Sequence, residues 1–429
     1  MKGKLLIIIS FILLGACSKE EVTIKPNIMI TSPGHMYPVN GIDTIQVLAS
    51  ITAPQNIEWV SVSLRNDNDI NVLKSVIKRP NTRTYDLNIS YFFDDLRLAG
   101  GTYQLNVSAF DGENTTTEYV AISYNETLRI REGVFVVSNS TSITSFYLLD
   151  QNYSAQFYQS VQGDHLKTMV DSYHQQLIHC SAIHGSLQAI DLTSSNSSWS
   201  LPLSNPFTSP FYTGFYYFNQ NLYLGKRNGG IQGIDKNGNP NFYTPIVNPG
   251  FYTERMHIHN DQYLVSEERS ISTDEAFLVF YFLASGARDV QTTLVTDVKG
   301  IYSKGNHIIL IANNTESNGK VLIYDFPSSV INTVFNANID EVEDCMEMST
   351  GIYLVAESGN LTIVNTLNHT TSSYLDNIGA KRIWYDEVTD ELYVGNGNVL
   401  TVYDFSDTFN KGTYVHNSEI KDVAFWYNK

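Results

Sequence analysis

Two histidines, His257 and His259 in Met256-His257-Ile258-His259, stand two residues apart and would share one side of a strand. A pair of imidazoles so placed can begin a metal site. No third ligand stands at a spacing that completes it, and the pair reads better as surface or channel-lining histidines. His174, His179 and His184 show no consistent ligand spacing either. The run Asp340-Glu341-Val342-Glu343-Asp344 offers carboxylates, but acid–base work needs them at a defined separation across a pocket. Adjacent acids in one loop make a solvated rim, or at most a weak calcium site. Asp235-Lys236-Asn237-Gly238-Asn239 has its glycine misplaced for a calcium loop and lacks a closing glutamate, so it reads as a hairpin turn. There is no Gly-x-Ser-x-Gly elbow, phosphate loop or dinucleotide fingerprint. No catalytic residue, metal site or cofactor is expected.

Aromatic rings are dense from Phe207 to Phe218. Exposed rings stack on sugars or anchor a protein partner, whereas alternating rings within a strand serve sheet packing. Most of these rings are therefore assigned to the core. Phe207, Phe211 and Tyr212 precede the expected strand and are the candidates for an exposed binding surface.

The elements that must position such residues are strands. Of 429 residues, 42% are hydrophobic and 12% aromatic, with 27 tyrosines and 21 phenylalanines, which favours a β-rich core over disorder. The length suits two or three domains. Forty-four acidic side chains against 27 basic ones give a net charge of −17 and no basic cluster, which argues against nucleic acid as a partner.

Lys2 and Lys4, the apolar run Leu5–Leu14 and the small residues before Cys17 describe a secretory signal, too short to span a bilayer. Leu14-Gly15-Ala16-Cys17 resembles the bacterial lipobox. The resemblance implies removal of residues 1–16, lipid on Cys17 and a tether over 17–26. Several acyl chains hold a protein durably on a membrane. The polar, acidic Ser18-Lys19-Glu20-Glu21 resembles the signal that carries lipoproteins to the outer face of the outer membrane in Bacteroidota. Cys180 and Cys345 lie in apolar, strand-like contexts and are expected as two separate buried thiols.

Residues 27–126 alternate apolar and polar in short runs, such as Thr44–Leu48, Ile57–Val62 and Tyr103–Val107, separated by turn clusters. About seven strands over about a hundred residues suggest an antiparallel sandwich. Gly101–Gly112 resembles the late strands of bacterial immunoglobulin-like domains, which implies a spacer or docking module.

Beyond Thr127 one mark recurs, an apolar strand closed by an acid or asparagine at Asp150, Asp191, Asp235, Asp325, Asn365 and Asp404. The spacing is about 39–45 residues, with one doubled gap filled by Phe277–Tyr281, and predicts seven units of four strands over 129–429. The short side chain at the end of a third strand can bond nearby backbone amides and start the turn to the fourth. The first unit lacks an inner strand and Ile420–Trp426 is spare, so the two should pair and close the ring. Tyr393-Val394-Gly395-Asn396 running on to Val402-Tyr403-Asp404 resembles the YVTN/YncE-like and quinoprotein-like propellers. That resemblance carries architecture and no active site.

The fold expected is all-β, an immunoglobulin-like sandwich followed by a seven-bladed β-propeller. The function expected is a non-enzymatic protein-interaction scaffold, or accessory subunit, of an outer-membrane complex in assembly, export or nutrient uptake. The alternatives are glycan capture through exposed aromatic loops and a propeller enzyme of lactonase or lyase type.

Overall fold

The computed structural model describes residues 24–429 apart from 141, 204–208 and 327. The lipobox-like segment, Cys17 and Phe207 lie outside the described residues. The chain divides into two compact units, Met1–Leu128 and Arg129–Lys429. All the regular elements described are strands.

In the first unit eight strands form a three-stranded and a five-stranded sheet that share one apolar core. Strand Thr44–Ile57 shows how. Ile45, Val47, Ala49 and Ile51 are buried, while Thr44, Gln46, Leu48 and Ser50 between them are exposed, because side chains alternate across a strand. Val60, Val62, Leu105 and Val107 of the other sheet complete the core, and the Leu64 amide donates to the buried Tyr91 hydroxyl at 3.1 Å. Two expectations need correction. Ile57–Val62 is not one strand, since the chain leaves one sheet at Ile57 and enters the other at Trp59. Nor is the unit wholly antiparallel, because Tyr37–Asn40 pairs in parallel with Thr115–Asn125.

The second unit contains seven four-stranded antiparallel sheets. Six are built from consecutive strands. The first is completed by Ile420–Tyr427, which pairs with Arg131–Ser140 as the innermost strand and sets Val423 opposite Val136. Seven apolar clusters hold the unit, and each is shared by two sheets that are neighbours in the order. Strand His307–Asn313 illustrates the cause. Ile308 and Leu310 pack toward the preceding sheet, and Ile309 and Ile311 toward the following one, so both faces are buried and the run is continuously apolar. One cluster joins the seventh sheet, through Tyr393, Leu400 and Val402, to the first, through Val134, Val136 and Val423. The series is therefore cyclic, the architecture of a β-propeller. Close approach of inner strands needs small residues. A side chain at Gly214 would lie 2.4 Å from the Glu254 carbonyl of the next sheet.

The recurring acids start turns. Asp191 accepts from the amides of Thr193 (3.0 Å) and Ser194 (2.7 Å), Asp235 from Asn237 and Asn239, and Asn365 from Leu367 and Asn368. The fourth sheet lacks the acid, and there Ser285 accepts from Ala287 at 3.3 Å. Asp191→Ala should lower stability by about 1 kcal/mol, because water replaces the lost acceptor at this exposed turn. The urea midpoint should move at unchanged slope.

Candidate functional site

Because consecutive strands are antiparallel, the turns between second and third strands gather on the same face of the ring as the links from one sheet to the next. On that face lies a hollow of about 590 Å³. Pro210 and Phe211 come from the link between the second and third sheets, and Ile246 and Pro249 from the link to the fourth. Ile271 comes from the inner turn of the fourth sheet, and Lys226 and Arg227 from that of the third. Main-chain bonds fix the aromatic wall, since the Phe211 amide donates to Ala182 O (2.7 Å) and the Arg227 amide to Phe211 O (3.0 Å). The Lys226 ammonium stands 5.9 Å from the centre of the Phe211 ring. Ile246 and Ile271 remain 49% and 45% exposed. Among the described residues no aspartate or glutamate lines the hollow. Desolvation holds the Lys226 ammonium below the usual lysine range.

Of the three sequence candidates, Phe211 is in this wall and half-buried. Tyr212 is not an exposed ring. It begins strand Tyr212–Phe218, is 6% exposed, and packs in the core between the second and third sheets, where burial raises its phenol. Its ring stands edge-to-face against that of Phe211, centroids 4.9 Å apart, so Tyr212 backs the wall from the core and does not face the hollow. Phe215 and Tyr217 join the same core, and Tyr216 and Phe218 pack toward the fourth sheet. Lys226, Arg227, Ile246 and Ile271 were missed by sequence reasoning. The one signal was a basic pair running into Asn228-Gly229-Gly230, a turn sequence, in an acidic chain.

The starts of the inner strands frame a second hollow, of about 800 Å³, on the same face. Lys167, Arg255, Lys381, Arg382 and Lys421 meet Glu254, Glu343, Asp344, Glu419 and Asp422 there. Most of this charge is internally paired, as Lys167 with Asp422 (2.9 Å), Arg255 with Glu254 (2.8 Å) and Lys421 with Glu419. The rest ties one inner strand to the next: Arg255 Nε donates to Lys299 O (3.0 Å), and the Ile383 amide to Asp344 (3.0 Å). In the acidic run, Asp340, Glu341 and Glu343 are exposed, while Asp344 is drawn into this framework.

The histidines serve packing. His257 Nδ1 lies 3.3 Å from the Tyr216 hydroxyl and His259 Nδ1 2.7 Å from the Ser303 hydroxyl. His179 is fully buried, with Nδ1 3.1 Å from Thr168 Oγ1. His174 contacts Asp171 at 2.7 Å, and His184 is exposed. Among the described residues no group of three His, Cys, Asp or Glu side chains is placed to hold a metal ion. Cys180 and Cys345 are free, one in the core between the second and third sheets and the other beside Tyr302. Burial pushes both thiols up, Cys345 to about 12.

No family model and no curated protein matches the sequence. Solved structures align with it at low identity. A quinonprotein alcohol dehydrogenase-like protein from Bacteroides thetaiotaomicron is 13% identical over 93% of this chain and 99% of that chain, with a TM-score of 0.46. Hydrazine synthase from Kuenenia stuttgartiensis is 12% identical over 67% and 95%, TM-score 0.47. The Cps50 (Swd1) β-propeller domain from Myceliophteria thermophila is 11% identical over 67% and 91%, TM-score 0.47. The β-propeller architecture of this chain rests on its own sheet order and shared cores.

Proposed function

We propose that this chain is a non-enzymatic docking module of an envelope complex, held at the outer face of the outer membrane by lipid on Cys17, and that it binds a protein partner through the Phe211 hollow. In this reading residues 27–126 are an immunoglobulin-like spacer, and the seven sheets are the blades of a seven-bladed propeller. The observation that carries the reading is the exposure of Ile246 and Ile271 beside Phe211 in a concave wall built by two consecutive sheets. Apolar side chains left open in a pocket are where a partner's anchor residues bury, and a rigid framework limits the ordering entropy of docking. The lipobox supports the anchor, because a tethered module meets its partner within the plane of the membrane.

The test is recovery of partners from gently solubilised outer membranes after mild crosslinking, with the lipidated, tagged full chain as bait. The wild type should bring down a barrel or lipoprotein partner in stoichiometric amount. Ile271→Asp puts a charge on the apolar wall and should reduce that recovery at least tenfold while the melting temperature stays within a few degrees. A wild-type bait that elutes alone, as a monodisperse monomer, overturns the reading.

A further inference from the structure

Lys226 and Arg227 are half-buried, adjacent, and in no ion pair among the described residues. Three half-buried arginines of the ring differ. Arg131 holds Asp386 at 2.8 Å, Arg255 holds Glu254 at 2.8 Å, and Arg269 holds Glu267 at 2.7 Å. A cation kept partly from water without a counter-charge is disfavoured, and an incoming anion relieves the cost. We infer that the hollow takes a peptide segment of the partner in which an apolar side chain is flanked by carboxylates. The inference rests on the docking reading above and names the chemistry of the partner.

The hollow supplies both halves of that chemistry. Phe211, Ile246 and Ile271 bury the apolar anchor, and the two cations stand on its rim within the same wall. Three main-chain donors near the cations are already engaged, for the Arg227 amide bonds Phe211 O, Gly229 bonds Lys226 O and Gly230 bonds Asn228 Oδ1. An anion is therefore met chiefly by long side chains, beside apolar surface. That suits an acidic peptide side chain better than a small hydrophilic phosphate, which needs converging amides. The chain carries −17 overall, yet charges more than about 8 Å away are screened at physiological salt, so the local pair decides.

The probes are three fluorescent octapeptides of alternating leucine with glutamate, glutamine or lysine, titrated by anisotropy against the full chain in detergent. The wild type should bind the glutamate peptide about tenfold tighter than the glutamine peptide, and the lysine peptide weakest. The preference should narrow as salt rises. K226M/R227Q should lose the preference but keep glutamine-peptide binding, and the charge-conserving K226R/R227K should keep both. Equal affinity for glutamate and glutamine peptides overturns the inference; if Ile271→Asp still abolishes that binding, the docking reading stands without it. Binding to no peptide overturns the inference as well, and the membrane recovery experiment then decides the reading separately. Saturation of the hollow by decanoate, with no peptide bound, would reassign it to small amphiphilic acids.

Discussion

Asp422→Ala should lower the stability of the ring by about 3–5 kcal/mol, the loss expected when one partner of a buried charge network is removed. Asp422 is 1% exposed. One oxygen accepts from Lys167 Nζ (2.9 Å), Trp384 Nε1 (2.9 Å) and the Val423 amide (3.1 Å), and the other from the Thr168 amide (2.9 Å). A single carboxylate thus joins the inner strand of the first sheet to those of the second and the seventh. Burial by itself would raise its pKa, but Lys167, His165 and the Thr168 amide together hold it below the ordinary aspartate value. Alanine leaves the indole and amide donors without an acceptor. Asp422→Asn keeps part of the bonding and should cost about half as much. Urea unfolding followed by tryptophan fluorescence measures both. A loss under about 1 kcal/mol for alanine would show that the junction holds without the carboxylate.

Acidification from pH 7 to 5 should weaken the fold by roughly 4 kcal/mol. His165, His179 and His257 are kept neutral by burial, which lowers them to about 4, about 3 and about 4. In the unfolded chain they titrate near 6.5. Below that pH the unfolded chain takes up protons that the folded ring refuses. The stability present above 6.5 is then lost as pH falls toward the folded values, roughly 2 kcal/mol for each histidine by pH 5. Glu267 acts in the opposite sense. Burial, only partly offset by Arg255 and Arg269, pushes it up to about 7. Its contribution is complete below its ordinary value near 4.5 and is lost as pH rises through 7, so acidification returns roughly 2 kcal/mol. Of these four groups three oppose one, which leaves a net loss; burial also raises Glu268, Asp344 and Glu347, which act with Glu267, and lowers His259, which acts with the other histidines. Comparing urea midpoints at pH 7 and 5 tests the balance, and His165→Gln should flatten the difference by about half. A wild-type midpoint that does not move would refute the histidine argument.

The repeat was legible because six of the seven third strands end on a side chain that the turn uses, so Asp191, Asp235 and Asn365 mark position as well as type. The pairing of Ile420–Tyr427 with Arg131–Ser140 was legible by subtraction, one sheet lacking a strand and one strand lacking a sheet. The passage between sheets at Glu58 was hidden, because apolar alternation runs on through the step from Ile57 to Val60 although the pairing partners change. Tyr212 was misplaced for a similar reason. Its neighbour Phe211 is the last residue of a link and Tyr212 the first of a strand, and a one-residue boundary decides which ring is fully buried. The walls of the hollow were not legible at all. They come from two turns and two links separated by up to sixty residues in the chain, brought together only by the order of the sheets around the ring.

The cyclic sharing of cores has a kinetic side. In an open stack the terminal unit has one neighbour and can peel away, and digestion can proceed from that end. Here every sheet is gripped on both sides, and the first is stitched from strands nearly three hundred residues apart. Folding must bring those distant segments together, which slows it. Once they are joined, no sheet can leave by breaking a single interface, so a protease meets a substrate whose lifetime is set by the opening of the whole circle.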